Sequence, residues 1–313
     1  MRLIRSIDSP ALPRGGCALT IGNFDAVHIG HREILRELTA QAKKRRLPPA
    51  VMTFDPHPQE YFRADSPVAR LSTTPTRFFA LRECGVEVML SLKFNRALAR
   101  TDAEHFVREY LARRLRVRYL LIGDDFRFGA RRAGDFDLLR RMAPQCNYEV
   151  ELFDTVQHRD HRVSSTWIRE LLRSGDLAQA ARLLGRRYAH TGRVTRGDGR
   201  GRQWGLPTIN LAIRHRPALA GVFAVTVDGV GDARLDGVAS LGTRPSVQRA
   251  GAPEHVLEVH LFDYDGDAYG RRVCVEFVDK IRDEEKFDNY AALIARIHQD
   301  IRAAKVILAQ TER

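Results

Sequence analysis

Two histidines, His28 and His31, stand three positions apart where an apolar run, Ala18-Leu19-Thr20-Ile21, passes through Gly22-Asn23-Phe24-Asp25 into a helical pattern, Glu33-Ile34-Leu35-Arg36-Glu37-Leu38. A strand that turns straight into a helix leaves the first N–H groups of that helix free. Together with the helix dipole they make a site suited to phosphate. Two imidazoles placed there can donate to triphosphate oxygens as charge builds at an attacked phosphorus. An HxxH pair taken alone is more often two polar residues at a helix start; the surrounding strand, turn and helix argue for the site.

A second helix start, Val163-Ser164-Ser165-Thr166-Trp167-Ile168-Arg169, lets Ser164 or Ser165 cap the helix while Arg169 projects from its first turn. This is another terminus fit for phosphate, although so short a motif also reads as a plain capped helix. Two further polar clusters, Thr53-Phe54-Asp55-Pro56-His57-Pro58 and Gly123-Asp124-Asp125-Phe126-Arg127-Phe128-Gly129, follow apolar runs. Catalytic groups in open α/β sheets gather at such strand ends.

Nearer the C-terminus, a glycine-rich run holding Gly197, Gly199, Gly201 and Arg202 leads into Pro207-Thr208-Ile209-Asn210. It lacks the GxxxxGK[ST] arrangement, which excludes a P-loop. Thr208 and Asn210, two apart on a strand, share a face where their oxygens could hold a Mg²⁺ ion that also touches substrate phosphates. A glycine loop beside two surface polar residues is the other reading of the same run. Glu258, within Leu257-Glu258-Val259-His260-Leu261, could accept a hydroxyl proton during phosphoryl transfer if a nucleotide binds beside it.

The elements needed to position these groups fall into two regimes. Up to about residue 184, short apolar runs alternate with amphipathic stretches, the pattern of a parallel sheet with helices on both faces. Strands are predicted near 17–22, 49–54, 86–92, 117–122 and 148–153, and helices over 31–45, 75–84, 103–114, 135–143 and 166–184, the last broken at Gly175 with Asp176 as a new cap. After Tyr188 the runs 190–195, 207–213, 221–228, 234–241, 255–262 and 272–278 alternate apolar and polar residues between Gly, Asp and Pro, which predicts a compact antiparallel barrel. Leu293, Ile294, Ile297, Ile301 and Ile307 recur at helical spacing, so one closing helix over 289–308 should pack on it. The hinge is expected at Gly185 to Ala189, giving domains 1–185 and 186–313.

The 313 residues, 44% of them hydrophobic, suffice for two cores, and the net charge of +12 favours polyanionic partners. The basic residues are spread along helices rather than gathered in a tail, so most belong to solvated faces. The N-terminus has no long apolar core of a signal peptide, and no apolar span reaches membrane length. Cys17, Cys84, Cys146 and Cys274 lie too far apart for a CxxC pair, and reduced thiols in a soluble cytoplasmic protein are expected.

The order GNFD, HxGH, TFDPHP, GDDFRFG and SSTWIR resembles the adenylyltransferase module of bacterial bifunctional riboflavin kinase/FAD synthetases over nearly all of residues 15–184. That resemblance implies a Rossmann-like nucleotidyltransferase fold in which His28, His31, Ser164 and Arg169 bind ATP phosphates, with Gly22, Asn23, Phe24, Asp25, Ser165 and Thr166 in the same two motifs. It implies that Asp125 lies near the flavin phosphate and that Phe62 and Phe128 sit against the isoalloxazine ring. The family's turn reads GNFDGVH, whereas this chain has Ala26; if the backbone there needs positive φ, alanine costs about 1 kcal/mol.

The run GRVTRGDGRGRQWGLPTIN, followed by GVFAV, GVASLGTRPSV, LEVHLFDYDGDAYG and VEFVDKIRDEEKF, resembles the riboflavin kinase module of the same enzymes over residues 188–290. This implies that Thr208 and Asn210 are ligands of Mg²⁺–ATP, that Glu258 is the base on the ribityl 5′-hydroxyl, and that Gly197, Gly199 and Gly201 form a flap over the phosphates. Ile209 stands where the family has Ala, and Ser240 where it often has Asn. The implied partners are riboflavin, FMN, FAD and ATP, with no nucleic acid and no membrane, in a monomer or weak homo-oligomer. The rival readings are a chain that keeps one of the two activities and a basic nucleic-acid-binding protein on an old α/β scaffold.

Overall fold

A computed structural model describes the chain apart from residues 64, 66, 155, 159–160, 198–204, 244–254 and 312–313. By packing it divides into two compact units, the first Met1–Val68 with Thr74–Ser164 and the second Ala69–Thr73 with Ser165–Arg313.

The first unit is built on a parallel sheet of strands β1 (Arg2–Ile4), β2 (Cys17–Ile21), β3 (Pro49–Asp55), β4 (Val88–Lys93), β5 (Val117–Gly123) and β6 (Glu149–Phe153), in the order β1-β4-β3-β2-β5-β6. All five residues of β2 are buried, because helices cover the sheet on both sides. Cys17, Leu19 and Ile21 join one core cluster, while Ala18 packs with Leu35 and Leu38 of helix Ile29–Arg45 in the other. A two-stranded ribbon, β7 (Gln157–His158) with β8 (His161–Arg162), follows.

The predicted strands and helices of this half are present, and the structure adds the short helices Pro58–Phe62, Arg96–Ala99 and Ala130–Arg132 and the β7–β8 ribbon; two further differences concern β1 and the stretch 103–114. Strand β1 escaped the sequence pattern because of its three residues only Ile4 is buried. The stretch expected as one α-helix over 103–114 is a short turn, Ala103–His105, followed by a π-helix, Phe106–Arg114, in which Leu115 N–H donates to the Tyr110 carbonyl. Phe106, Val107, Leu111 and Leu115 are buried along this stretch.

The second unit opens with helices Ser165–Ser174 and Leu177–Leu184, parted at Gly175 (φ +86°), where Asp176 caps the second by accepting from Gln179 N–H. Strands β9 (Ala189–Thr195), β10 (Ile209–Ile213), β11 (Gly221–Asp228), β12 (Leu235–Thr243), β13 (His255–Leu261) and β14 (Arg272–Arg282) close as an antiparallel barrel in the order β10-β13-β12-β11-β14-β9. Alternation fills the interior with Leu211, Phe223, Val225, Leu241, Leu257, Val259, Val275 and Phe277. On the outer side, Val222, Ala224 and Val238 pack against Ala304 and Leu308 of helix Tyr290–Thr311. Arg282 Nε and Nη2 donate to the Asp300 carboxylate at 3.0 and 2.8 Å, tying that helix to β14. None of the four cysteines is in a disulfide.

Candidate functional sites

In the first unit, chain connections run from β2 outward through β3 and β4 on one side and through β5 and β6 on the other. The strand order therefore reverses between β2 and β5. Open α/β sheets bind ligands outside the carboxyl ends of the strands at such a point. The turn carrying His28 leaves β2 there, and the Gly123-Asp124-Asp125 loop leaves β5 there.

His28 is the N-cap of helix Ile29–Arg45, with extended backbone (φ −73°, ψ 175°), and its Nδ1 accepts the His31 N–H at 3.2 Å. A neutral imidazole that accepts at Nδ1 carries its proton at Nε2, and the His28 side chain is buried. The His31 ring stacks on it with centroids 3.7 Å apart and planes 15° from parallel. Gly30 preserves this arrangement, since a Cβ at that position would come within 3.3 Å of the His28 ring. His31 Nδ1 is sealed from solvent with no partner among the described residues. Burial first, then the electrostatic influence of neighbouring His28 and Arg77, holds the His31 pKa well below its usual 6.5, so the ring is neutral at physiological pH.

The turn before the cap is strained. Phe24, Ala26 and Val27 have φ of 48°, 75° and 47°, so the condition under which Ala26 costs stability is met. Gly22 makes room for the Phe24 ring, which would lie 3.0 Å from a Cβ there, and Phe24 and Asp25 are buried. The Asn23 carbonyl behind the turn accepts from Thr53 Oγ1 at 3.1 Å and from Arg77 Nη1 at 3.0 Å; Arg77 Nη1 also donates to Thr53 Oγ1 at 2.8 Å.

Asp125 is exposed and ion-paired with Arg162 of β8 at 2.5 Å. Phe62 is 67% exposed and meets Tyr61 and Phe94 edge-on. Phe128 is instead buried, packed against Phe106, Phe126 and Gly134, where a Cβ would lie 2.6 Å from its ring. Ser164 ends the first unit, while Ser165, exposed Thr166 and buried Arg169 lie on the first helix of the second, with Arg169 Nε donating to the Ala69 carbonyl at 2.6 Å. Sequence reasoning missed Arg162 and Arg77. The signal for Arg77 was a charge on the core-facing side of helix Thr74–Glu83, in line with Ala80 and Leu81.

In the barrel, Glu258 lies opposite Asn210 of β10 on one side and Ser240 of β12 on the other. The three share the outer face, since their neighbours Ile209, Leu211, Leu257, Val259, Ala239 and Leu241 point inward. Asn210 is buried and its side chain crosses over Gly197, where a Cβ would come within 2.5 Å of it. Its Oδ1 has no partner among the described residues. Half-buried Thr208 precedes it by two positions, and Glu258 is exposed. A cavity of about 290 Å³ is lined by Gly205, Pro207, His260, Phe262, Tyr264 and Lys305, and not by Thr208, Asn210 or Glu258. His260 Nδ1 lies 2.9 Å from the Pro207 carbonyl, joining the two sides of this cavity. Gly199, Gly201 and Arg202 lie outside the described residues.

Comparison with known proteins follows the same division. Residues 12–167 match the family model for FAD synthetase and residues 184–308 that for riboflavin kinase. The chain is 42% identical to the bifunctional riboflavin kinase/FMN adenylyltransferase of Escherichia coli (strain K12), over 100% of this chain and 99% of that protein. It is 41% identical to the protein of that name from Pseudomonas fluorescens, over 99% and 98%. A crystal structure from Streptococcus pneumoniae, described as a macrolide-efflux protein, has a TM-score of 0.77 at 28% identity over 95% of this chain and 97% of that one. No helix among the described residues is long and apolar enough to cross a membrane.

Proposed function

The chain belongs to the bifunctional riboflavin kinase/FMN adenylyltransferase family, and on that premise we propose that its barrel phosphorylates riboflavin with ATP and its parallel-sheet unit then joins FMN to AMP, releasing pyrophosphate. The observation that carries this reading is the His28 cap with its stacked His31 at the reversal of strand order, within the part that matches FAD synthetase. We propose a functional boundary near residue 185, a reading supported by the riboflavin kinase match over residues 184–308 and by Gly185 (φ 70°) ending a helix, although packing divides the units at Ser165.

In the adenylyl transfer, an FMN phosphate oxygen displaces pyrophosphate at the α-phosphorus of ATP. The nucleophile is already ionised at neutral pH, so the protein's work is alignment and charge stabilisation. The helix start at Ile29 and the Nε2 proton of His28 face the charge that develops there. Neutral His31 keeps the cap and the stack intact. For Gly22, Asn23, Phe24, Asp25, Ser164, Ser165, Thr166 and Arg169 the support is the motif resemblance. Asp125 and exposed Phe62 are assigned to the flavin, and Phe128, from its buried place, to the wall behind.

In the kinase, Glu258 takes the proton of the ribityl 5′-hydroxyl as that oxygen attacks the γ-phosphorus, the bond to the β,γ-bridging oxygen breaks and ADP leaves. Its place beside Asn210 supports this role. We assign Thr208 and Asn210 to Mg²⁺: a buried amide oxygen with no partner among the described residues suits a hard cation. When bound, the ion neutralises phosphate charge. Gly197 is assigned to the flap over the phosphates. The partners are small molecules, the working form is a monomer or weak homo-oligomer, and four cysteines outside any disulfide suit a reducing cytoplasm.

Chromatography of flavins after incubation with riboflavin, ATP and Mg²⁺ tests this reading. FMN should appear first and FAD after it. If neither forms, the proposal is wrong; if FMN alone forms, the chain is a kinase only.

A further inference from the structure

We propose that Arg77 is a positioning residue of the adenylyl-transfer site, pinning the Asn23 carbonyl and the Thr53 hydroxyl so that the turn between β2 and helix Ile29–Arg45 keeps the shape that presents His28 to phosphate. The inference rests on reading the first unit as the FMN adenylyltransferase.

Three residues of that turn, Phe24, Ala26 and Val27, hold positive φ, although none is glycine. Such backbone persists only where its surroundings over-determine it. Part of those surroundings meets at the Asn23 carbonyl. The Asn23 carbonyl accepts two hydrogen bonds, from Thr53 Oγ1 at 3.1 Å and Arg77 Nη1 at 3.0 Å, and the two donors are joined to each other at 2.8 Å. This small ring of contacts links the end of β3, helix Thr74–Glu83 and the start of the turn, three segments distant in the chain.

Arg77 sits on the buried side of its helix with Ala80 and Leu81, where an apolar residue would fill the core at less cost in desolvation. A guanidinium kept at such a position and aimed at the turn indicates a task for it there. Its charge is also among the causes that hold His31 low, which places it within electrostatic reach of the stacked pair. The chemistry falls to His28 and the helix start; Arg77 acts through them.

The test compares Arg77→Met, Arg77→Lys and Thr53→Val. It measures kcat and the KM values for ATP and FMN in FAD formation, with riboflavin phosphorylation by the same preparations as an internal control on folding. Arg77→Met should lower kcat/KM for ATP by about 100-fold, the scale of a misplaced catalytic group, with KM for ATP raised and KM for FMN within about twofold. Arg77→Lys, whose ammonium can still reach both oxygens, should recover most of that loss. Thr53→Val should shift the same parameters by about tenfold.

Phosphorylation of riboflavin should stay at the wild-type rate throughout. The proposal is overturned if Arg77→Met forms FAD within about threefold of wild type, or if only kcat falls, as for a smaller folded fraction. It is overturned as well if lysine serves no better than methionine. Should Arg77→Met fail to fold, Arg77→Lys and Thr53→Val decide by the same KM criterion. Wild-type protein that forms no FAD would refute the adenylyltransferase reading itself, a result distinct from any of these.

Discussion

The two units hold their reactive groups by opposite means. In the parallel-sheet unit, the proposed site centres on residues 22–31 in one continuous stretch, and its capping contact, His31 N–H to His28 Nδ1, spans three residues. In the barrel, Asn210, Ser240 and Glu258 are far apart in the chain and become neighbours through strand register. A site made by a helix cap is robust to changes elsewhere and fragile to changes within the turn. A site made by register depends on the closure of the whole barrel and on whatever clamps its outer face.

Breaking each site separately is the sharpest test of that contrast. Glu258→Gln should lower riboflavin phosphorylation by about 10³-fold while leaving conversion of supplied FMN to FAD unchanged, as read by flavin chromatography. Loss of both activities would show that the sites are not independent. His28→Ala should lower FAD formation by about 10²-fold and leave FMN as the end product, because cap and phosphate donor go together. FAD made at the normal rate by this variant would remove His28 from the mechanism.

The dependence of the barrel on distant clamps is tested by Asp300→Ala, which removes the carboxylate that Arg282 Nε and Nη2 donate to and leaves the guanidinium with its Asp283 carbonyl contact and its neighbours Glu285 and Phe287. Breaking a buried pair of this kind should cost about 3 kcal/mol. Chemical denaturation should show the barrel's transition at lower denaturant and the first unit's unmoved; a shift of both would contradict the division into units.

Both units should be acid-sensitive through a buried histidine: His31 in the first, and in the barrel His190, whose pKa burial pushes down to about 4. His31 titrates below 6.5 in the fold and near 6.5 when unfolded, so protons bind the unfolded chain first and stability falls as pH drops below about 6.5. Between pH 7.5 and 5.5 the loss should be roughly 1 kcal/mol, and a His31→Gln variant should show less of it. The smallest effect is expected from Ala26→Gly, which relieves the φ of 75° at a cost in unfolded-state entropy, for a net gain below about 1 kcal/mol. A destabilised variant would mean that the Ala26 methyl contributes packing that outweighs its strain.

Much of this was readable from the chain because it depends on neighbours in sequence. The strand–turn–helix at 17–45, the break at Gly175 with Asp176 as cap, the six closely spaced barrel strands and the closing helix all follow from periodicity and capping, which act over a few residues. The positive φ at Ala26 could be posed as a condition from the sequence, and the backbone met it. The π-helical winding at 106–114 was not legible, since an amphipathic stretch of that length fits an α-helix until the core it faces is known.

Sequence by itself determined the two regimes of secondary structure and the motifs at the ends of the strands, because hydrogen bonding and side-chain periodicity are local. Only the tertiary structure decided that Phe62 is exposed while Phe128 is buried, that Glu258 lies between Asn210 and Ser240, and that Arg77 reaches the Asn23 carbonyl. Those outcomes depend on which strands pair and which helix covers which face, and such long-range packing has no fixed spacing in the chain to reveal it.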